Sequence, residues 1–303
     1  MAASNVRIRT ANSIFIALLL YVSLGCGGSS HSSMAAPQTA AVPQFGHEVL
    51  LVEENHGYSQ IIGSPDMPYL NSLAAKYGLA TQYFANTHPS IGNYFMLTTG
   101  QLVTNDSGFA GPVDVDNLVR ELGASGKSWK SYAESLPSVG YTGGDVYPYV
   151  KHHNPFAYFT DVLNSNAQMQ SLVSTSQFST DLANNQLPNI SFVCPNLLDD
   201  AHDGSTQAAD AWLQQHIAPL IASPTFQNDG LLIILFDEAG GDDSNKGGGH
   251  VAAVIVSAKA KPGFQSTNVY QHQSTLRLIL QALRVTTLPG EASTAPEMAE
   301  FFQ

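Results

Sequence analysis

Charged residues, basic residues and cysteines are all scarce in this 303-residue chain. Asp, Glu, Lys and Arg make up 12% of it, and 12 basic residues stand against 24 acidic ones, so the formal net charge is −12. This balance excludes broad electrostatic binding to nucleic acid or to an anionic membrane. An anionic substrate would need a local source of positive charge, and a bound metal ion is the simplest candidate.

The two cysteines and the absence of two motifs exclude further classes of protein. Cys26 and Cys194 are the only cysteines. If Cys26 is lipidated or lies in a tether, Cys194 has no partner, which excludes a disulfide framework and leaves Cys194 as a small core residue. The chain has no phosphate-cradling Gly-x-x-x-x-Gly-Lys loop and no Gly-x-Ser-x-Gly elbow. The glycines at 247–249 lack the strand–turn–helix context of a dinucleotide site.

The first 46 residues have the features of a targeting segment and a tether. Two arginines precede an apolar stretch at 14–22, which is too short to span a bilayer. Residues 23–26 resemble a bacterial lipoprotein processing site, with Ser23 where leucine is usual. We predict a signal peptide over 1–26, a flexible linker over 27–46 and a folded domain over 47–303. Either Cys26 is lipidated or the signal peptide is removed by ordinary cleavage. In both cases we expect export, to the periplasm, the cell surface or the medium.

Short apolar runs alternate with stretches of helical spacing in the folded region. The predicted strands are 49–52, 79–85, 128–132, 190–194, 230–236 and 251–256. The predicted helices are 67–77, 116–122, 208–221 and 274–283, with a further buried helix from Ser90. This alternation predicts an α/β fold with a mostly parallel sheet flanked by helices. Ligands bind such sheets beyond the carboxyl ends of the strands.

Three predicted strands end in polar residues. Glu54 and Asn55 follow the first strand, 199–203 follow the strand at 190–194, and Asp237 and Glu238 follow the most hydrophobic one. Taken singly, the first pair also suits a solvated turn and the last pair a helix N-cap. Such clusters are costly to bury together unless a partner pairs them, and hard oxygen ligands favour a metal ion.

Ser90 lies where a chain leaving a strand begins a helix. Free backbone N–H groups and the helix dipole favour negative charge at that point. Ser90 is therefore either an N-cap or a nucleophile presented to an anionic group. His202 and His250 lie near strand ends, where they could bind a second metal or an anion or act as general acid. His88 adjoins the Ser90 turn, while His152 and His153 also suit an exposed loop.

Several separated motifs resemble those of one family. Residues 53–63, Glu-Glu-Asn-His-Gly-Tyr-Ser-Gln-Ile-Ile-Gly, are similar to the opening motif of the bacterial phosphoesterase family. That family includes acid phosphatases and phospholipase-C-type enzymes, within the alkaline phosphatase superfamily. The segment 87–94 resembles its second motif, and 236–238 with 249–251 resemble its C-terminal motif; 151–156 and 199–204 also fit. The resemblance covers residues 47–285.

The resemblance implies an alkaline-phosphatase-like three-layer α/β sandwich and metal-dependent hydrolysis of phosphate esters through a phosphoserine. It implies Ser90 as nucleophile and Asn93 as a donor to the phosphoryl oxygen. Its implied metal ligands are Glu54, Asn55, Ser90, Asp237 and Glu238, for one or two divalent ions among Zn, Mn, Mg, Ca and Fe. Its implied contacts to substrate or a second cation are His88, His152, His153, His202 and His250.

Two positions depart from the family pattern, and the substrate stays open. The family commonly has proline where Gly92 stands and aspartate where Glu238 stands, which puts the ligand role of Glu238 in question. The first interpretation is a phosphomonoesterase acting on a small phosphate ester, with no nucleic-acid polymer as partner and with a possible lipid anchor. The alternatives are a phosphodiesterase or phospholipase C, and a non-catalytic surface lipoprotein with a degenerate site.

Overall fold

The structure, a computed structural model, describes residues 41–303. The predicted signal peptide, Cys26 and most of the predicted linker lie outside those residues, so export stays a prediction. The end of the predicted linker is corrected: Val42 and Phe45 are buried in the core, and the Phe45 ring lies 5.5 Å from that of Phe302. The packed domain therefore begins before His47. No helix within the described range is long and apolar enough to cross a membrane.

Residues 41–303 contain eleven strands in two sheets. They are β1 His47–Glu53, β2 Gly78–Ala80, β3 Tyr83–Phe84, β4 Trp129–Ala133, β5 Leu172–Val173, β6 Ile190–Cys194, β7 Gly230–Phe236, β8 His250–Val251, β9 Ala253–Val256, β10 Phe264–Ser266 and β11 Tyr270–Gln271. The main sheet has the order β10-β2-β9-β7-β1-β6-β4-β5, and the small one has the order β11-β3-β8. In the main sheet only β9 runs antiparallel to its neighbours, which confirms the mostly parallel α/β fold.

Ten α-helices and five short 3₁₀ helices connect these strands in the same range. The α-helices are α1 Tyr58–Ile61, α2 Pro68–Lys76, α3 Ser90–Thr99, α4 Leu118–Ala124, α5 Thr160–Leu163, α6 Asn166–Met169, α7 Thr175–Ala183, α8 Thr206–Ala222, α9 Pro224–Asp229 and α10 His272–Ala282. The 3₁₀ helices are Lys151–His153, Pro155–Tyr158, Asn245–Gly247, Gly290–Ser293 and Ala299–Phe301. Helix α3 packs against α10, and α2 packs against α8.

The central strands are buried on both faces, as continuous apolar runs require. Every residue of β6 and β7 is buried, and so is every residue of β1 after His47. Two predicted strands are each divided in two. The run 79–85 turns at Thr81 and Gln82 and splits between the two sheets as β2 and β3. The run 251–256 breaks at Ala252, whose carbonyl accepts from the N–H of Phe236 at 3.1 Å.

The register of the sheet sets the position of the polar strand ends. Glu53 pairs with Phe236, so Glu54 and Asp237 leave neighbouring strands side by side. The N–H of Asp237 donates to the carbonyl of Glu53 at 2.9 Å, and the N–H of Glu54 donates to the carbonyl of Asp200 at 2.8 Å. Three polar segments that are far apart in sequence therefore meet at the carboxyl ends of β1, β6 and β7.

Candidate active site

Helix α3 presents Ser90 at its first residue. Pro89 is the N-cap and offers no capping side chain, and the helix ends at Gly100 with a left-handed φ of 67°. All ten residues of α3 are buried, and Ser90 is 6% exposed. The Ser90 hydroxyl does not cap the helix; it donates to Glu54 Oε2 at 3.0 Å. The structure thus rules out the N-cap alternative and places the serine against a carboxylate.

Three acidic side chains surround the Ser90 hydroxyl. Glu54 and Asp237 are fully buried and Glu238 is 7% exposed. Burial, and then the Asp237 charge, raises the pKa of Glu54 well above its usual range. Burial, and then the Glu238 charge, does the same to the pKa of Asp237, and burial raises the pKa of Glu238 to about 7. The hydrogen bond from the N–H of Asn55 offsets part of the rise in the pKa of Asp237. A nearby positive charge would offset this cost of ionising the three carboxyls together.

The donor set fits a hard divalent cation. Asp237 Oδ1 accepts from the N–H of Asn55 at 3.1 Å, while Asp237 Oδ2 is buried with no hydrogen-bond partner among the described residues. Asn55 has a left-handed φ of 56°, which turns its N–H toward Asp237. Within residues 41–303, no three His, Cys, Asp or Glu side chains are already spaced as a metal site. The orphaned Asp237 oxygen is the atom that a cation would satisfy.

Asn93 is committed to other partners. Its Oδ1 accepts from the N–H groups of Asn86 and Thr87 at 3.0 and 3.2 Å, and its Nδ2 donates to the Thr87 carbonyl at 2.8 Å and to Glu238 Oε2 at 3.3 Å. A primary amide has two donor hydrogens and two acceptor sites, so Asn93 is fully used. Contact with a phosphoryl oxygen, as the family resemblance implies, would replace its bond to Glu238.

His88 contacts the same Glu238 oxygen as Asn93. Its Nδ1 lies 3.1 Å from Glu238 Oε2, and its Nε2 lies 3.0 Å from the Asp243 carbonyl oxygen. Because a carbonyl only accepts, Nε2 carries hydrogen and donates to Asp243. His88 therefore contacts an acidic member of the site, beside the serine that it precedes in the chain.

Glu54 has a second set of partners, of which the sequence singled out His153 but not Tyr94. The Tyr94 hydroxyl donates to Glu54 Oε1 at 2.6 Å, and His153 Nε2 lies 3.2 Å from the same oxygen. The His153 ring stacks on Tyr94 at 5.0 Å, and its Nδ1 is 3.5 Å from Asp200 Oδ2. Tyr94 stands four residues after Ser90, and this i, i+4 spacing, which puts both on one helix face, was the signal available.

The two loop histidines differ from the exposed-loop interpretation. His153 is 1% exposed, in a 3₁₀ helix that packs against α3. Burial, and then the neighbouring charge of His202, lowers the pKa of His153 to about 3; burial, and then His153, lowers that of His152 to about 4. Burial likewise raises the pKa of Asp200 to about 7. His153 is thus a neutral ring between Glu54 and Asp200.

His202 and His250 are placed differently from each other. His202 is exposed, with Nδ1 2.8 Å from Asp203 Oδ1 and its ring 6.0 Å from that of His153. The His250 ring lies between those of Tyr58 and Phe84, at 4.4 and 4.9 Å, and its Nε2 bonds to the Thr81 carbonyl. These contacts place His202 beside His153, which itself lies against Glu54, and they pack the His250 ring between β3 and α1.

The chain is similar in sequence to known proteins. The sequence model of the Phosphoesterase family matches residues 63–286. A phosphatidylinositol-3-phosphatase of Mycobacterium tuberculosis is 34% identical over 88% of this chain and 88% of its own length. A probable acid phosphatase of Kluyveromyces lactis is 32% identical over 74% of this chain, which spans about half (54%) of that protein.

Solved structures share the fold at low sequence identity. A protein in the alkaline phosphatase superfamily from Vibrio parahaemolyticus superposes with a TM-score of 0.57 and 13% identity, over 87% of this chain and 70% of that one. The phosphonate monoester hydrolase of Agrobacterium radiobacter gives 0.55 and 14%, over 84% and 77%. These likenesses establish an alkaline-phosphatase-like fold.

Proposed function

The chain belongs to the Phosphoesterase family and is a phosphoric ester hydrolase, and from that premise we propose that it is a metal-dependent phosphomonoesterase that forms a phosphoserine at Ser90. The observation that carries the proposal is the Ser90 hydroxyl, which donates to Glu54 Oε2 at 3.0 Å at the N-terminus of a buried ten-residue helix. A serine with an acceptor for its proton, and with a helix dipole facing its attack site, has the two features that an activated nucleophile requires.

The chain's own groups account for nucleophile activation. Glu54 Oε2 takes the Ser90 proton as the oxygen attacks phosphorus, and Tyr94 holds the other Glu54 oxygen in place. The N-terminus of α3 favours the negative charge that builds up on the phosphoryl oxygens. The bond of Asn93 to Glu238 leaves that amide hydrogen beside the same region, where a phosphoryl oxygen can replace the carboxylate.

Proton delivery to the leaving group is assigned to His202. Its side chain is exposed, with the ring 6.0 Å from that of His153, and Asp203 holds Nδ1, so Nε2 is the nitrogen left to face a leaving oxygen. His250 is less suited, because its Nε2 already bonds to Thr81. After the leaving group departs, water hydrolyses the phosphoserine and the Ser90 proton is restored.

The residues that would hold one or two divalent ions are Glu54, Asn55, Ser90, Asp237 and Glu238. The orphaned Asp237 Oδ2 and the three buried carboxylates support this assignment. A bound divalent ion supplies positive charge that lowers the pKa of a coordinated hydroxyl and offsets phosphoryl charge. Oxygen ligands suit Mg, Ca or Mn, and the nearby imidazoles also admit Zn or Fe.

The names of the relatives favour a monoesterase over a diesterase. The Mycobacterium tuberculosis relative is named as a phosphatidylinositol-3-phosphatase, and four fungal relatives are named as acid phosphatases, one of them as a probable acid phosphatase. This chain spans 43–54% of the length of those fungal proteins, so their activities are carried over as part of the proposal. The substrate proposed here is a small phosphate monoester.

The test compares one aryl phosphate with the corresponding bis-aryl phosphate. We expect faster turnover of the monoester and loss of both activities in Ser90→Ala. Ser257→Ala is the matched control: Ser257 is also buried, but its hydroxyl donates to the Gly230 carbonyl at the opposite end of β7. Preference for the bis-ester would support the phosphodiesterase alternative, and no turnover of either by the metal-loaded protein would support the non-catalytic one.

A further inference from the structure

A buried histidine lies directly behind the strand end that carries Asp237 and Glu238. His272 is the first residue of α10 and is 0% exposed. Its Nε2 is 2.6 Å from the Asp237 carbonyl oxygen, and its Nδ1 is 3.1 Å from the Tyr83 hydroxyl. The Tyr83 hydroxyl in turn lies 2.7 Å from Thr275 Oγ1. None of these three side chains belongs to the site described above.

The chemistry of the groups sets the direction of each hydrogen bond. A carbonyl oxygen only accepts, so His272 Nε2 must carry the hydrogen and donate to Asp237. Burial disfavours a charged imidazole, which leaves Nδ1 as a lone pair that accepts from the Tyr83 hydroxyl. Tyr83 then accepts from Thr275. The chain Thr275–Tyr83–His272 thus holds His272 in the one neutral tautomer that can bind the Asp237 backbone.

The first turn of α10 is also hydrogen-bonded to the segment that leads into Ser90. The N–H of His272 donates to Asn86 Oδ1 at 3.3 Å, and Asn86 Nδ2 donates to Gln273 Oε1 at 2.8 Å. The N–H of Asn86 donates to Asn93 Oδ1 at 3.0 Å. The start of α10 is therefore bonded both to Asp237 and to the turn that leads into Ser90.

We infer that His272 is a positioning residue that fixes Asp237 relative to Ser90, with Tyr83 setting its tautomer. His272 binds the Asp237 carbonyl and Asn55 binds Asp237 Oδ1, so the free Oδ2 is left at a defined position for a ligand. The inference rests on the proposed role of Asp237 in holding a divalent ion, and it adds the part of the fold that sets the geometry of that ligand.

Four variants separate this role from a general packing role. His272→Leu removes the donor, and His272→Gln keeps an amide Nε2 that can still donate. Tyr83→Phe keeps the ring and removes only the hydroxyl that orients the imidazole. Tyr132→Phe is the matched control, because Tyr132 is equally buried and its hydroxyl donates to Asp181 at 2.7 Å, away from Asp237.

The measurement is the affinity of the chelator-stripped protein for Mn²⁺ alone, by electron paramagnetic resonance, with Zn²⁺ in competition. Outer-shell partners of metal ligands typically change affinity about 10–100-fold, and we expect a weakening in that range for His272→Leu. We expect a smaller weakening for Tyr83→Phe, partial recovery in His272→Gln and no change in Tyr132→Phe. Excess Mn²⁺ should restore turnover of an aryl phosphate in Tyr83→Phe. If the substitution had only loosened the packing of the core, excess Mn²⁺ would not restore turnover.

The outcomes separate the inference from the proposed function. Wild-type Mn²⁺ affinity in both Tyr83→Phe and His272→Gln, with His272→Leu unchanged or unfolded, would overturn the positioning role and leave the metal proposal standing. Equal weakening in Tyr83→Phe and Tyr132→Phe would also overturn it, because the effect would then be general. A wild-type protein that binds neither ion would overturn the metal proposal and the inference together.

Discussion

Tyr94→Phe removes one oxygen atom next to the proposed general base. The lost hydroxyl donates to Glu54 Oε1 at 2.6 Å, and both residues are 0% exposed. Burial, and then the Glu54 charge, raises the pKa of Tyr94 well above its usual range, so the hydroxyl stays a donor at every working pH. The substitution therefore removes a hydrogen bond and no charge.

The size of the effect follows from the kind of bond. A hydrogen bond to a charged group contributes about 1.5–3 kcal/mol. If that energy holds Glu54 where it accepts the Ser90 proton, kcat/KM should fall about 10–100-fold, since about 1.4 kcal/mol is tenfold in rate. The free energy of unfolding should fall by a similar amount, because the Glu54 oxygen stays buried after its donor is gone.

The assay compares kcat/KM on an aryl phosphate with thermal unfolding of the same proteins. Tyr132→Phe again serves as control, since it removes an equally buried tyrosine hydroxyl from a carboxylate, that of Asp181. We expect both variants to lose stability and only Tyr94→Phe to lose activity. Activity of Tyr94→Phe within twofold of wild type, at a stability cost like that of Tyr132→Phe, would refute the role given to Tyr94 and Glu54.

Three further predictions concern acid stability, loop packing and metal removal. Burial opposes ionisation of Asp181, but hydrogen bonds from Lys130 and two other donors outweigh it and hold the pKa of Asp181 below its ordinary value. Asp181→Asn should thus lower the free energy of unfolding by about 1–3 kcal/mol at pH 7, with a loss that disappears as the pH falls below about 4. A Cβ at Gly248 would lie 2.3 Å from the Thr87 carbonyl oxygen, so Gly248→Ala should displace the turn before the nucleophile and reduce activity, whereas Gly123→Ala, with open space around it, should not. Chelation should abolish activity and lower the melting temperature, and a divalent ion should restore both, because it offsets the repulsion among the buried carboxylates.

Each of these three predictions can be contradicted by a specific result. A pH-independent difference between Asp181→Asn and wild type would show that the ionised carboxylate is not the stabilising form. Equal activity in Gly248→Ala and Gly123→Ala would show that the close approach to Thr87 is unimportant. Full activity after exhaustive chelation would show that the activity does not depend on a metal ion.

The central strands were predictable because burial on both faces leaves a continuous apolar run. The strands 190–194 and 230–236 have the predicted bounds. Helix α7, Thr175–Ala183, was not predicted, because it is rich in Ser and Thr and buries only Thr175, Phe178 and Asp181. The break at Thr81 and Gln82 was also missed, since no glycine or proline marks that turn.

The site residues that follow directly after strands were predictable from the sequence. The hydrogen-bond partners of their side chains were less predictable. Glu54, Asp237 and Glu238 converge because the parallel strands β1 and β7 end at one edge of the sheet. Ser90 joins them from α3, which follows β3 of the small sheet. The contact between His272 and Asp237 joins residues 35 positions apart, and no local pattern indicates it. For the same reason, the sequence could not show that the His250 ring packs between aromatic side chains.

The most direct test of the central claim is to trap the covalent intermediate. Wild-type protein mixed with an aryl phosphate and quenched in acid within milliseconds should yield, after digestion and mass spectrometry, a peptide phosphorylated on Ser90. Ser257→Ala should give the same peptide, and Ser90→Ala should give none and no turnover. Phosphate on another residue, or near-full turnover by Ser90→Ala, would contradict the account.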